Sequence, residues 1–251
     1  MSDTAVLVIA HGSPDPDWNQ LVEETVRQTK LVLPVRVAYL GSVENRGIAD
    51  EVRRLERMGV RTIICVPLFV TIGSTHVSEI QYMLGVLPSP GFATDVRPIP
   101  VTARIIWCPP LEDDVMVERI LGERIEELSL LPSREGLLLI GHGSDLPGFR
   151  DRWELLLQRL AVRLQQAYGF PFASYATLRP DSVWKRAQEA ARNRRLLVLP
   201  VFVSQGYFTR QVIPGRLGDT AYEYSGKTYL PHPLVAKWIE RSVHSVLQPQ
   251  Q

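Results

Sequence analysis

The eight residues VLVIAHGS at positions 6–13 decide the fold, because they return almost unchanged as LLLIGHGS at positions 137–144. Each copy is an apolar run that ends in His-Gly-Ser. A second segment repeats at nearly the same distance along the chain, since VPLFVTIG at 66–73 returns as LPVFVSQG at 199–206. Two matches in nearly the same register indicate an internal duplication.

The duplication predicts two homologous domains, residues 1–131 and residues 132–251. They would join near LPSRE at 131–135, which is a short polar stretch with a proline. A weaker echo pairs Pro110-Leu111 with Pro233-Leu234, and each dipeptide is predicted to open a helix.

The alternation of short apolar runs with longer stretches of helical periodicity predicts βαβ units. The predicted strands are Ala5–Ala10, Val35–Leu40, Thr62–Pro67, Gly136–Ile140, Phe172–Ala176 and Leu196–Val201. Runs that are apolar at nearly every position are typical of parallel strands with helices on both faces. We therefore expect an α/β fold in which each domain is a parallel sheet flanked by helices. Two such halves favour a ligand cleft between the domains, at the carboxyl ends of the strands.

Three other segments have structural interpretations. The Gly- and Pro-rich piece at 87–110 is predicted to be a long loop with one short strand. A helix after Gly148 is predicted to bury one apolar stripe. Its members are Trp153, Leu156, Leu157, Leu160 and Leu164. The mixed charges of 51–57, with three arginines and two glutamates, are interpreted as a solvated helix face.

Composition excludes several classes of protein. The 28 basic and 27 acidic side chains give a formal charge of +1, without the strong positive field that nucleic-acid binding requires. The two cysteines, Cys65 and Cys108, are too far apart for a CxxC pair and are predicted to be buried thiols. The chain shows no signal-peptide pattern and no window of 18 apolar residues, so we expect a cytoplasmic protein that does not engage a membrane.

Two histidines and a glutamate of the first domain form the candidate reacting centre. His11 directly follows the first predicted strand, and His76 lies nine residues after the third. Ser74 or Thr75 is predicted to cap the helix that begins there. Glu79 follows His76 by three residues, so the two side chains would share one helix face. Paired imidazoles with a nearby carboxylate favour an open site for Co²⁺, Fe²⁺ or Ni²⁺, although a lone strand-end histidine is more often a hydrogen-bonded loop residue.

The second domain repeats this pattern only in part. His142 is equivalent to His11. When the repeats are aligned on Gly206 and Gly73, Thr209 falls at the position of His76, so the second domain lacks the partner imidazole. The first domain is therefore predicted to hold the reacting centre, and the second to form the opposite wall of the cleft. Arginines there would bind substrate carboxylates in a bidentate manner. The predicted contacts of this wall are Arg150, Arg179, Tyr207 and Arg210.

Ser13 is interpreted as the cap of the following helix, whose amide groups would face an anion of the substrate. A nucleophilic role is not favoured, because adjacent residues of a turn rarely form the required hydrogen bond. The sequence lacks GxxxxGK[ST], GxSxG, HExxH and GxGxxG, so P-loop, α/β-hydrolase, zincin and dinucleotide-binding interpretations have no support.

The strand-His-Gly-Ser opening with Asn19, the segment VPLFVTIGSTH at 66–76 and the degenerate second copy resemble one known family. They are similar to the class II chelatases of the CbiX type, the sirohydrochlorin cobaltochelatases and ferrochelatases, in their long two-domain form. The resemblance covers essentially the whole chain. It implies insertion of Co²⁺ or Fe²⁺ into sirohydrochlorin, a tetrapyrrole with eight carboxylates, on the route to cobalamin or sirohaem. It also implies that His11 and His76 hold the metal and take up the pyrrole protons.

The resemblance implies a small-molecule tetrapyrrole as partner, the metal as substrate and no organic cofactor. Two alternatives stay open. One is a metal or tetrapyrrole carrier without turnover, and the other is a phosphoryl-handling enzyme with His11 as nucleophile. Either a monomer or a homodimer is compatible with the sequence.

Overall fold

The computed structural model of the chain describes residues 3–41 and 43–247. Strands and helices alternate along these residues. The strands are β1 (Thr4–Ala10), β2 (Val35–Tyr39), β3 (Thr62–Pro67), β4 (Arg104–Trp107), β5 (Glu135–Gly143), β6 (Phe172–Arg179) and β7 (Arg195–Pro200). The helices are α1 (Pro16–Arg27), α2 (Ile48–Arg57), α3 (Thr75–Met83), α4 (Val115–Leu128), α5 (Pro147–Tyr168), α6 (Val183–Ala191), α7 (Ile213–Leu217) and α8 (Pro233–Leu247).

The first sheet is parallel, with the strand order β2-β1-β3-β4. Its central strand β1 pairs with β2 through Val6 and Val35, and with β3 through Val6 and Ile64. Residues Ala5–Ala10 are fully buried, which confirms that both faces of this apolar run are covered. From β1 the chain goes to β2 on one side and then to β3 on the other. The carboxyl ends of β1 and β3 therefore form a topological switch point, where open α/β sheets bind ligands.

The second sheet repeats this arrangement with the order β6-β5-β7, again parallel. Its switch point lies at the carboxyl ends of β5 and β7. Glu223 forms an isolated bridge with Leu197 on the outer side of β7, at the position that β4 occupies beside β3. The predicted parallel α/β fold is confirmed for both sheets.

Contacts divide the chain into two compact units, which we call the first and second units. The first unit comprises the described residues up to Leu111 and those from His232 onward, and the second comprises Glu112–Pro231. Helix α8 thus packs in the first unit, against α1 and β3, and helix α4 packs in the second, against α5 and β7. The division at residue 131 follows the repeat instead, and it stays a prediction. The predicted cleft between the halves also stays a prediction.

Helix starts show where the local predictions hold. Helix α4 begins at Val115, because the Asp114 side chain accepts a hydrogen bond from Met116 N at 2.8 Å and caps the first turn. The predicted start at Pro110-Leu111 is therefore wrong. Helix α8 does begin at Pro233. His232 lies just before it, and its Nδ1 accepts from Leu234 N at 3.2 Å.

Helix α5 buries the predicted apolar stripe, as all five of its members are buried. The helix ends at Gly169, which adopts φ +74° as its cap. Over residues 3–41 and 43–247, we find no helix with the length and apolarity needed to cross a membrane.

The charged cluster of α2 is not a simple solvated face. The Glu51 side chain is fully buried, with ion pairs to Arg54 at 2.6 Å and to Arg46 at 3.3 Å. It also contacts Arg36 of the neighbouring strand. The interpretation of Glu51 as solvated is therefore wrong, because its carboxylate joins α2 to β2 and to the following loop.

Candidate functional site

His11 lies directly after β1, and backbone pairing fixes its position. The ladder to the neighbouring segment continues past the strand, since Leu40 N donates to Ala10 O at 3.0 Å and Gly41 N donates to His11 O at 3.2 Å. Gly12 adopts φ +83°, and a Cβ there would lie 2.2 Å from Gly41 O. Only glycine fits this turn. It leaves the His11 ring exposed at the end of the central strand.

His76 is the second residue of α3, which follows β3 across the switch point. The structure brings it to His11, and the two ring centroids are 5.0 Å apart with an interplanar angle of 68°. Sixty-five residues of sequence separate these rings. They meet because β1 and β3 are neighbours and end at the same edge of the sheet.

Each imidazole has its Nδ1 occupied. His11 Nδ1 lies 2.9 Å from Gly12 O, and because a carbonyl oxygen only accepts, this nitrogen carries the proton. His76 Nδ1 lies 3.0 Å from Oε2 of Glu79. A carboxylate behind a histidine orients the ring and fixes its tautomer in metal sites. Because Nδ1 of each ring is engaged in this way, Nε2 is the nitrogen that remains for a ligand.

The separation of the rings suits one shared ion. Two imidazoles that bind a metal at about 2.1 Å with a tetrahedral angle have centroids roughly 5 Å apart. The observed distance between His11 and His76 is 5.0 Å. The His76 side chain is 41% exposed, so the pair is open to an incoming ion.

The pair has few additional ligands nearby. Over the described part of the chain, no group of three or more His, Cys, Asp or Glu side chains is placed to hold a metal ion. Glu79 contacts the back of the His76 ring. The arrangement is thus an open pair of imidazoles, one of which is supported by a carboxylate.

Thr94 is a residue of this site that sequence reasoning missed. Its hydroxyl donates to Oε1 of Glu79 at 2.6 Å, so both oxygens of that carboxylate have partners. Thr94 comes from the segment at 87–110, which is predicted only as a long loop with one short strand. No periodicity marks the residue, because its position depends on the path of the loop over α3.

The predicted serine and threonine contacts differ in outcome. The cap of α1 is Asp15, whose side chain accepts from Asp17 N, so the predicted capping role of Ser13 is wrong. Ser13 N donates to Asn19 Oδ1 at 3.0 Å, which leaves that amide unavailable to an anion. Ser74 does occupy the N-cap position of α3 but makes no side-chain capping bond, and Thr75 is the first helical residue.

The second unit repeats the strand-end histidine with a different partner. His142 Nδ1 lies 3.0 Å from Gly143 O, as in the first unit. The ring that faces His142 belongs to Phe208, at a centroid distance of 5.0 Å and an angle of 88°. Thr209, predicted to lie opposite His76, is instead buried and bonds to Gly206. The prediction was one residue off, since the ring that meets the strand-end histidine lies two residues after Gly206 in the second unit and three residues after Gly73 in the first.

The four predicted contacts of the second unit have different surroundings. Arg150 donates to the backbone carbonyls of Ser144 and Asp145 at 3.3 and 3.1 Å. Arg179 pairs with the Asp145 side chain at 3.1 Å, and both side chains are 60% exposed. Tyr207 and Arg210 are exposed in the helical segment after β7.

The fold and the strand-end histidines together define a duplicated α/β protein of the chelatase-like class. Its structure is similar to that of SirB from Bacillus subtilis with Fe³⁺, with a TM-score of 0.75 and 17% identity, over 96% of this chain and 94% of that one. This likeness shows the fold.

Sequence comparison identifies the family. The CbiX family model matches residues 5–128 and again 136–246, so the chain belongs to the CbiX family. A sirohydrochlorin cobaltochelatase of Methanopyrus kandleri is 26% identical over 136 residues, which is 49% of this chain and 95% of that protein. Another, from Methanocaldococcus jannaschii, is 33% identical over 90 residues, which is 34% of this chain and 59% of that protein.

Proposed function

We propose that this chain inserts a divalent metal ion, Co²⁺ or Fe²⁺, into sirohydrochlorin with release of two protons. The observation that carries the proposal is the pair of imidazoles, His11 and His76, at the switch point of the first sheet, with centroids 5.0 Å apart. Membership of the CbiX family makes the chain a metal chelatase. The cobaltochelatase names of the two archaeal relatives support the substrate, and the Fe³⁺ of the SirB structure supports iron as a second metal.

Metal delivery requires a site that binds an ion and then releases it. Neutral imidazole nitrogens are suitable ligands for Co²⁺ and Fe²⁺. A closed cage of four protein ligands retains its ion, whereas open coordination positions let another ligand replace the protein. The exposed pair of His11 and His76 would leave such positions for the pyrrole nitrogens of the substrate.

Metallation also requires a route for two protons, because the pyrrole nitrogens lose them as the ion enters. The imidazoles that release the metal become free to accept protons. Glu79 is 14% exposed and contacts His76 Nδ1, so its carboxylate would stabilise the imidazolium that forms. His11, His76 and Glu79 are therefore the proposed catalytic residues.

Substrate carboxylates need polar partners. In the first unit we assign Ser13, through its hydroxyl, together with Ser74 and Thr75 at the start of α3. In the second unit we assign Arg150, Arg179, Tyr207 and Arg210, because guanidinium groups bind carboxylates through paired hydrogen bonds. The cytoplasmic location and the monomeric or homodimeric state also stay predictions.

Measurement of turnover distinguishes a chelatase from a non-catalytic metal or tetrapyrrole carrier with the same fold. Sirohydrochlorin is mixed without oxygen with excess Co²⁺, Fe²⁺ or Ni²⁺ and with protein at about one hundredth of the tetrapyrrole. Complete conversion of the absorption spectrum supports a chelatase, and conversion that stops at one equivalent of protein supports a carrier. Release of phosphate from a phosphoester, without any spectral change, would support the phosphoryl-transfer alternative.

A further inference from the structure

The switch point of the second unit carries an aromatic cluster, of which the proposed reaction uses only Tyr207. We define the second-unit aromatic cluster as His142, Phe202, Tyr207 and Phe208. Phe208 contacts each of the other three rings, with centroid distances of 5.0 Å to His142, 6.3 Å to Phe202 and 5.7 Å to Tyr207. Tyr207 is 64% exposed and Phe208 is 38% exposed. Phe202 packs against the core of this unit, so the exposed rings of the cluster are those of Tyr207 and Phe208. Exposed apolar surface at a strand end is typical of a binding site.

The cluster lies at the position in the second unit that the imidazole pair, His11 and His76, occupies in the first. In each unit a His-Gly-Ser sequence lies at the carboxyl end of the central strand, and its histidine meets a second ring at 5.0 Å. That second ring is an imidazole in the first unit and a phenyl in the second. A phenyl ring has no lone pair for a metal, but its face can stack on another flat ring system. The second unit has Phe208 where the first unit has His76, so it lacks the second imidazole for a metal but retains an aromatic surface.

Positive charge accompanies the rings. Arg210 follows Tyr207 by three residues in the same helical segment, and it forms no ion pair within the described residues. Arg150 bonds to neutral carbonyls, so its charge is not compensated by them. Arg179 is held by a single exposed aspartate, a kind of pair that an incoming carboxylate can replace. Flat rings beside guanidinium groups complement a flat conjugated ligand with carboxylates at its edge.

We propose that the second-unit aromatic cluster binds the polycarboxylated macrocycle by stacking and takes no metal, because Phe208 occupies the place of the second imidazole. This rests on the proposed function, which supplies the macrocycle as ligand. The second copy of the duplicated fold has thus kept the ring-binding part of the site and lost the metal-binding part.

The first experiment titrates metal-free sirohydrochlorin into the full chain, followed by absorbance. Phe208→Ala and Tyr207→Ala should each raise the Kd about tenfold, the size expected for loss of one stacking ring. Trp184→Ala is the matched control, since Trp184 is 61% exposed in the same unit but lies outside the cluster. Its Kd should stay unchanged. Unchanged Kd values for both cluster variants would overturn the proposal. Tyr207→Ala keeps the test valid if Phe208→Ala does not fold, as judged by circular dichroism.

The second experiment restores the missing imidazole. Phe208→His should bind two equivalents of Co²⁺ in a calorimetric titration without tetrapyrrole, whereas the native chain should bind one. Tyr207→His is the control, because the Tyr207 ring is not the one that faces His142, and it should also bind one. One equivalent in a folded Phe208→His variant would overturn the equivalence of Phe208 and His76.

These outcomes separate the two proposals. If the native chain neither binds Co²⁺ nor converts sirohydrochlorin, the proposed function fails. If it does both while the cluster variants bind the macrocycle normally, the proposed function stands and only the inference on the second unit is overturned.

Discussion

Thr94 donates a 2.6 Å hydrogen bond to Oε1 of Glu79, while Oε2 of the same carboxylate lies 3.0 Å from His76 Nδ1. A residue of the long loop therefore orients the group that orients a proposed metal ligand. Such outer contacts fix the direction in which an imidazole presents its free nitrogen.

Removal of the charge behind His76 should slow metal insertion. Glu79→Gln keeps the size of the side chain but cannot stabilise an imidazolium, so we expect the insertion rate to fall about tenfold and its pH profile to change. Thr94→Val should have a smaller effect in the same direction. Ser89→Ala, which removes an exposed hydroxyl of the same loop, should leave both the rate and the pH profile unchanged. Equal rates for Glu79→Gln and the native chain would contradict the proposed role of Glu79 in orienting and charging His76.

The imidazole pair should be indispensable. His11→Ala or His76→Ala should lower the insertion rate about a hundredfold or more, because each removes a proposed metal ligand and proton acceptor. His142→Ala should be much milder, since its neighbour is Phe208. His244→Ala, on the exposed side of α8, controls for loss of any histidine. The rate is measured by the absorbance assay with circular dichroism as a check on folding. If His142→Ala lost as much activity as His11→Ala, the assignment of the reacting centre to the first unit would be wrong.

The proximity of His11 and His76 could be predicted from the sequence, because both follow buried parallel strands. The carboxyl ends of such strands share one edge, so residues far apart in sequence meet there. The helical spacing from His76 to Glu79 likewise predicted their contact. These inferences depend only on local pattern and on the regular geometry of βα units.

Other parts of the site depend on tertiary structure and could not be predicted. Thr94 reaches Glu79 through a loop whose path no periodicity encodes. Phe208, not Thr209, faces His142. The segment after Gly206 forms a π-helical turn over Phe208–Val212, whereas the segment after Gly73 forms an α-helix, so alignment on the repeated glycine does not predict which ring meets the strand-end histidine. The buried charge of Glu51 is compensated by three arginines from separate segments, which only the tertiary structure brings together.

The turn after His11 should tolerate only glycine. Gly12→Ala adds a Cβ that would lie 2.2 Å from Gly41 O at a residue with φ +83°. Gly59→Ala is a matched control, since φ is +84° and open space surrounds the added atom. Backbone strain alone should lower the free energy of unfolding by about 1–2 kcal/mol in Gly59→Ala. Gly12→Ala should lose roughly 3 kcal/mol and most of its activity. Equal urea midpoints for the two variants would show that the turn can shift without cost.

The buried carboxylate of α2 should be important for stability. Glu51→Gln leaves Arg36, Arg46 and Arg54 without their shared partner, and we expect a loss of about 3 kcal/mol in the free energy of unfolding. Asp50→Asn on the same helix removes an exposed pair with Arg53 and should cost less than about 1 kcal/mol. Urea denaturation of both variants measures the difference. Similar values for the two would mean that burial of Glu51 adds nothing to its ion pairs.

The two buried thiols should make stability fall at alkaline pH. Burial raises the pKa of Cys108 to about 12, and burial together with the nearby Cys108 thiol raises the pKa of Cys65 further. In the unfolded chain both thiols ionise near pH 8.5. The folded state thus keeps protons that the unfolded state releases, so the stability is complete below about pH 8.5 and is lost as the pH rises towards the folded values.

The loss should reach up to about 1.4 kcal/mol per thiol for each pH unit above 8.5. Urea midpoints at pH 8 and pH 10 measure it, and the Cys65→Ala/Cys108→Ala double variant should show a smaller decrease because it has no thiol to ionise. At pH 8 the native chain should not react with a thiol reagent, since both side chains are fully buried, whereas both should react in urea. Rapid labelling of the native chain at pH 8 would show that the thiols are accessible. The predicted loss of stability at alkaline pH, which depends on their burial, would then be wrong.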